Sequence, residues 1–63
     1  MITEQQLEYI SLNIVKFCIS RQLTVEDAHE LNDNIKYDLG IIKVRDEYDY
    51  EYNRICDLWR SYE

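Results

Sequence analysis

The chain predicts an all-α fold, a small three-helix antiparallel bundle. Three observations carry that expectation: apolar residues recur at helical spacing over three segments, capping signatures open the first two, and the connections are short. The predicted helices cover about residues 4–22, 25–39 and 42–62 of a single domain, 1–63.

Thr3 followed by Gln6 is a capping-box pattern, and Leu7, Ile10, Ile14 and Phe17 then mark one apolar face, extended by Cys18. A second apolar group, Leu12, Val15, Ile19 and Leu23, lies roughly 120° or more around the same helix at about 100° per residue. The first helix should therefore be covered on two sides, by both other helices or by one of them and a second subunit. In a homodimer, Leu12, Val15 and Ile19 would form the self-association surface. Thr24 with Asp27 opens the second helix, with Leu23 and Ala28 placed as a hydrophobic staple and Ala28, Leu31, Ile35 and Leu39 as the core stripe. Gly40 stands where a C-terminal cap wants a left-handed residue, with Ile41 placed to fold back on Ile35.

The run Asp-Glu-Tyr-Asp-Tyr-Glu-Tyr at 46–52 reads two ways. As a strand it puts Tyr48, Tyr50 and Tyr52 on one face, in a hairpin turning at Asp46-Glu47, but that dipeptide lacks the Asn-Gly or Asp-Gly chemistry that tight hairpins prefer. As a helix it aligns Ile41, Val44, Tyr48, Tyr52, Ile55, Trp59 and Tyr62, with Leu58 beside them, within an arc of roughly 80°. One period over so many positions outweighs a short alternation, so a helix is expected, starting near Ile42 or at Asp46 if that residue is its N-cap.

Composition narrows the functions. A 63-residue chain has a small core and little room to enclose a substrate, though 46% hydrophobic and 13% aromatic residues suit a folded protein. One glycine, one alanine, no proline, eight isoleucines and six tyrosines indicate an AT-rich bacterial or bacteriophage genome. Cys18 and Cys56 fit no zinc or C-x-x-C spacing, and no basic-then-apolar segment opens the chain, which points to reduced thiols and a cytoplasmic location in a bacterium or phage-infected host. No apolar run approaches the roughly 18 residues of a membrane span. The net charge of −6 is concentrated: residues 24–38 carry five acids against Lys36 and residues 46–63 carry six against Arg54 and Arg60, while Lys43 and Arg45 make a small positive spot between them. Such a surface repels nucleic acid and attracts basic patches on proteins.

Catalytic groupings are not legible. The sole histidine, His29, falls toward the polar side of the second helix and is expected to be solvated; with Asp33 it offers two metal ligands but no third. A single glycine builds no phosphate cradle. Neither an enzyme nor a cofactor or metal is expected. The outward faces remain: Glu26, Glu30, Asp33 and Tyr37 on the second helix, and Asp46, Asp49, Tyr50, Asn53 and Asp57 on the third, each an acidic face holding one exposed tyrosine. Tyrosine ringed by carboxylates suits a partner rich in Arg and Lys. The sequence thus points to a small acidic non-catalytic inhibitor or regulator that binds a basic protein, of the type bacteriophages direct against host defence or transcription machinery. The alternatives are a DNA mimic that inhibits a DNA-binding protein, which requires both acidic faces to form one continuous surface, and a self-associating structural module.

Overall fold

Three helices, α1 (Glu4–Ser20), α2 (Val25–Asp38) and α3 (Tyr48–Tyr62), pack against one another in an up-down-up bundle. The computed structural model describes residues 2–42 and 48–63, the side chains of Tyr48 and Asp49 excepted. Among the described residues there is no strand, and Tyr48–Tyr52 is helical, which removes the hairpin over that stretch. The predicted start of α3 near Ile42 is corrected, since Ile41 and Ile42 are not helical; an N-cap at Asp46, like the places of Lys43, Val44 and Arg45, lies outside the described residues.

Local chemistry sets the helix limits. Thr3 Oγ1 accepts from the Gln6 amide at 3.2 Å while Gln6 Oε1 accepts from the Thr3 amide at 2.8 Å. Thr24 and Asp27 repeat the exchange at 3.2 and 3.1 Å. Each box satisfies two backbone donors that the first turn leaves open. Both helices also end alike. At the end of α1 the Leu23 amide reaches Cys18 O at 2.8 Å and the Gln22 amide reaches Ile19 O at 3.1 Å; at the end of α2 the Ile41 amide reaches Lys36 O at 2.9 Å and the Gly40 amide reaches Tyr37 O at 3.0 Å. This paired bonding demands a left-handed residue just past the helix. Gly40 supplies it with φ +76°, but in α1 it falls to Gln22 with φ +60°, so α1 stops two residues before its predicted end.

The core cluster is Ile14, Val15, Cys18, Ala28 and Ile55, with Ile10, Ile19, Val25, Leu31, Ile35, Leu58 and Trp59 packed partly against it. Along the second stripe of α1, Val15 is wholly buried within the chain, Leu12 and Ile19 are half-buried, and Leu23 is exposed. Leu23 and Tyr62, at the ends of the predicted apolar faces of α1 and α3, are exposed, and two residues expected further inside are not core either: Phe17 is 46% exposed and Leu39 54%. The cause for these two is the orientation of α2. Its buried residues are Ala28, His29, Asn32 and Lys36, an arc turned by roughly 70° from the predicted stripe at about 100° per residue.

The two helix ends generate a paired prediction. Gln22→Gly relieves left-handed strain of roughly 1–2 kcal/mol and adds unfolded-chain entropy of roughly 0.5–1 kcal/mol, for a net gain of up to about 1 kcal/mol. Gly40→Ala meets no atom within 4 Å of the new Cβ, so it incurs the left-handed cost of roughly 1–2 kcal/mol, offset in part by roughly 0.5–1 kcal/mol of lost unfolded-chain entropy, for a net loss of up to about 1 kcal/mol. Urea unfolding of the two variants should show opposite shifts in midpoint.

Candidate functional site

The inward face of α2 carries polar groups that its apolar pattern would send to solvent. Lys36 is completely buried, and its Nζ donates to Glu51 Oε2 at 2.6 Å and to Ser11 Oγ at 2.7 Å. Ser11 Oγ donates onward to Asn32 Oδ1 at 3.0 Å, and Asn32 Nδ2 donates to Glu51 Oε2 at 2.9 Å. The four side chains close a ring with members from all three helices. Its polarity is consistent throughout: the ammonium donates twice, the hydroxyl and the amide each accept once and donate once, and one carboxylate oxygen accepts twice. The ring requires Glu51 ionised and Lys36 protonated. Burial tends to raise the Glu51 pKa, but hydrogen bonds from Lys36 and Asn32 and the charges of Lys36 and Arg54 outweigh it and hold the carboxyl below its usual range. Burial of the ammonium dominates at Lys36 and pulls it below the ordinary lysine value, despite Glu51.

One residue before Glu51, on the outside of α3, Tyr50 is 64% exposed. Its hydroxyl accepts from Arg54 Nη2 at 2.5 Å, and the guanidinium carbon lies 4.9 Å from the ring centre. Arg54 is itself largely buried, its side chain 11% exposed, with Glu4 Oε2 3.8 Å from Nη2. Burial disfavours the charged guanidinium, yet the Tyr50 hydroxyl, Glu51 and Glu4 more than compensate and raise its pKa. A surface aromatic is thus fastened to an arginine whose charge is balanced from inside the bundle. Tyr50, Asn53, Arg54, Asp57 and Leu58 line a shallow groove between α3 and α1, with Glu8 on the α1 side. Glu4 and Glu8 stand more than forty positions before Tyr50, so no spacing in the sequence points to them here. Lys16 instead lies 5.7 Å from the Tyr62 ring centre and Arg21 5.2 Å from that of Phe17, toward the other end of α1.

The other predicted contact residues scatter. Glu30 borders the α1–α2 groove with Phe17, Leu23 and Asp27, whereas Glu26 borders the α2–α3 groove with Trp59 and Arg60. Tyr37 is exposed. Asp57 pairs with Arg60 at 2.9 Å, both three-quarters exposed, a contact worth little in stability. Asp46 and the Asp49 side chain lie outside the described residues. Asp33 is corrected: its side chain is only 15% exposed, with Oδ2 3.2 Å from His29 Nε2. His29 is corrected with it, since it is buried rather than solvated, its ring edge-on to Tyr52 at 4.8 Å between centres. The rotation of α2 carries both inward. Burial pushes the Cys18 thiol up, Asp27 adding to the effect, and both cysteines are free. Among the described residues no three His, Cys, Asp or Glu side chains are grouped to hold a metal ion, and no helix is long and apolar enough to cross a membrane.

No family model, no curated protein and no solved structure matches the chain. Its own residues therefore carry the functional argument.

The ring fixes how stability varies with pH. A carboxyl whose folded pKa lies below its unfolded value stabilises the fold above that unfolded value, and the contribution disappears as pH falls through the folded one. Wild-type stability should therefore fall as pH drops from about 4.5 through the lower folded value of Glu51, whose protonation leaves the Lys36 charge buried without its counter-ion. Glu51→Gln should be less stable at pH 7 by about 3 kcal/mol and should show a shallower decline in acid. Thermal melts from pH 3 to 7 compare the two. Lys36 acts with the same sign at high pH: its pKa is also lowered, so stability rises with pH between the folded value and 10.5.

Proposed function

We propose that this protein is a non-catalytic binding module that docks on a basic surface of another protein through the α1–α3 groove, with Tyr50 as its anchor. One observation carries the reading: among the described residues Tyr50 is the most exposed of the large hydrophobic side chains, yet Arg54 holds it at both the ring and the hydroxyl. Ordering a free surface side chain on binding costs roughly 0.5–1.5 kcal/mol, and this contact removes much of that cost beforehand. Glu4, Glu8 and Asp57 outnumber the cations beside them, Arg54 and Arg60, and the resulting weakly negative surroundings draw Lys and Arg of a partner. The module acts by covering its partner's surface. In the setting the AT-rich composition suggests, a bacterium infected by a phage, that amounts to inhibition or regulation of a host protein.

The DNA-mimic alternative needs the acids of α2 and α3 on one surface. Glu26, Glu30 and Asp57 border three different grooves, and Asp33 turns inward, so protein docking at Tyr50 is the better-supported reading.

Capture from nuclease-treated bacterial lysate on immobilised wild type and Tyr50→Ala, followed by titration of the purified partner, tests the proposal. Tyr50→Ala should keep its helical circular dichroism and lose about 2 kcal/mol of affinity, close to 30-fold in Kd. Equal retention of the same proteins by both columns would overturn it. Competition by duplex DNA for the site would turn the assignment to mimicry.

A further inference from the structure

Toward the apolar cluster, each helix steps one turn from the polar ring: Ser11 to Val15 on α1, Asn32 back to Ala28 on α2, and Glu51 to Ile55 on α3. The bundle is therefore layered, with a ring of hydrogen bonds at one level and the apolar cluster at the next. The apolar arc of α3, residues 48, 52, 55, 59 and 62, is nearly symmetric about Ile55. Read backwards, α3 presents almost the same stripe. The connection can follow that reversal if the cap of α2 opens: the nine residues between Asp38 and Tyr48 can reach roughly 30 Å when extended, more than the roughly 22 Å length of α3. The cost is the bonds from the Gly40, Ile41 and Ile42 amides to the last turn of α2 and the burial of Ile42.

Within the packed layers, the polar ring distinguishes the two directions. Turning α3 end for end about Ile55 leaves that residue in the apolar layer but carries Glu51 roughly 12 Å along the axis and brings Trp59 to the level of Lys36. The buried ammonium would then face an indole. Its carboxylate partner would be lost, and the Asn32 amide would lose the oxygen it donates to. An uncompensated buried charge is among the most costly defects a small fold can hold.

We propose that the Ser11–Asn32–Lys36–Glu51 ring is an orientation key that admits α3 in one direction and thereby decides which face of α3 lies beside Glu8 on the α1 side. Its role is specificity of arrangement, and an apolar layer of similar volume would hold the helices together as well or better.

Two variants test this by nuclear magnetic resonance: the full replacement Ser11→Ala/Asn32→Leu/Lys36→Met/Glu51→Leu, and the smaller Lys36→Met/Glu51→Leu. The Trp59 indole should give one set of signals in wild type, with contacts to Val25, which lines the same groove. In at least one variant a second set should emerge at on the order of 10% of the intensity or more, with contacts to residue 36, while the melting temperature stays equal or rises. A single set with Val25 contacts in both variants would overturn the proposal. Loss of folding in both would overturn it too, since the ring would then be a plain stabiliser.

Discussion

The interior of this bundle is arranged around one buried ammonium. Removing the Lys36 charge from water costs several kcal/mol, and the attraction of a carboxylate offsets this only when geometry is close and the remaining polar atoms are bonded. Lys36 meets those conditions with contacts at 2.6 and 2.7 Å, and Ser11 and Asn32 complete the circuit. No member can be removed alone without leaving another unsatisfied in a dry site. The orientation of α2, the position of Glu51 on α3 and the small residue at Ser11 are three sides of one requirement.

That requirement reaches the surface. Turning α2 to point Lys36 inward also draws in His29, Asn32 and part of Asp33, and it leaves Phe17 and Leu39 half-exposed. The acidic character of the chain is thereby redistributed. Residues that a helical wheel groups on one flank of α2 border different grooves, Glu26 toward α3 and Glu30 toward α1. The groove at Tyr50 gathers carboxylates from two helices that the sequence keeps more than forty positions apart, Glu8 and Asp57.

Local chemistry was legible in the sequence, and cross-helix chemistry was not. Thr3 with Gln6, Thr24 with Asp27, and Gly40 each satisfy backbone groups within a few residues, so their spacing is sufficient information. The helical period likewise resolved the tyrosine run at 48–52, placing Tyr50 outside and Tyr52 partly inside. The rotation of α2 escaped because periodicity counts apolar residues, and a lysine that finds its partners on other helices counts as polar wherever it lies. Asn32 and Lys36 do stand one turn apart, a spacing that marks a shared face, but nothing in a single chain pairs that face with Ser11 and Glu51. Tyr50 and Arg54 share the same one-turn spacing, and that pair was the readable clue to the ordered surface tyrosine.

The interior and the exposed groove are linked through a single side chain. Glu51 accepts from Lys36 and Asn32 inside the bundle, and its charge also stabilises the guanidinium of Arg54, which in turn fixes Tyr50 outside. The coupling works in both directions. A partner that seats on Tyr50 and favours this arrangement of Arg54 binds the folded chain alone, and by mass action it adds its binding energy to the stability of a fold with a small apolar core. A polar ring that contributes more to arrangement than to stability suits such a protein, because docking can supply part of the stability once the correct arrangement is in place.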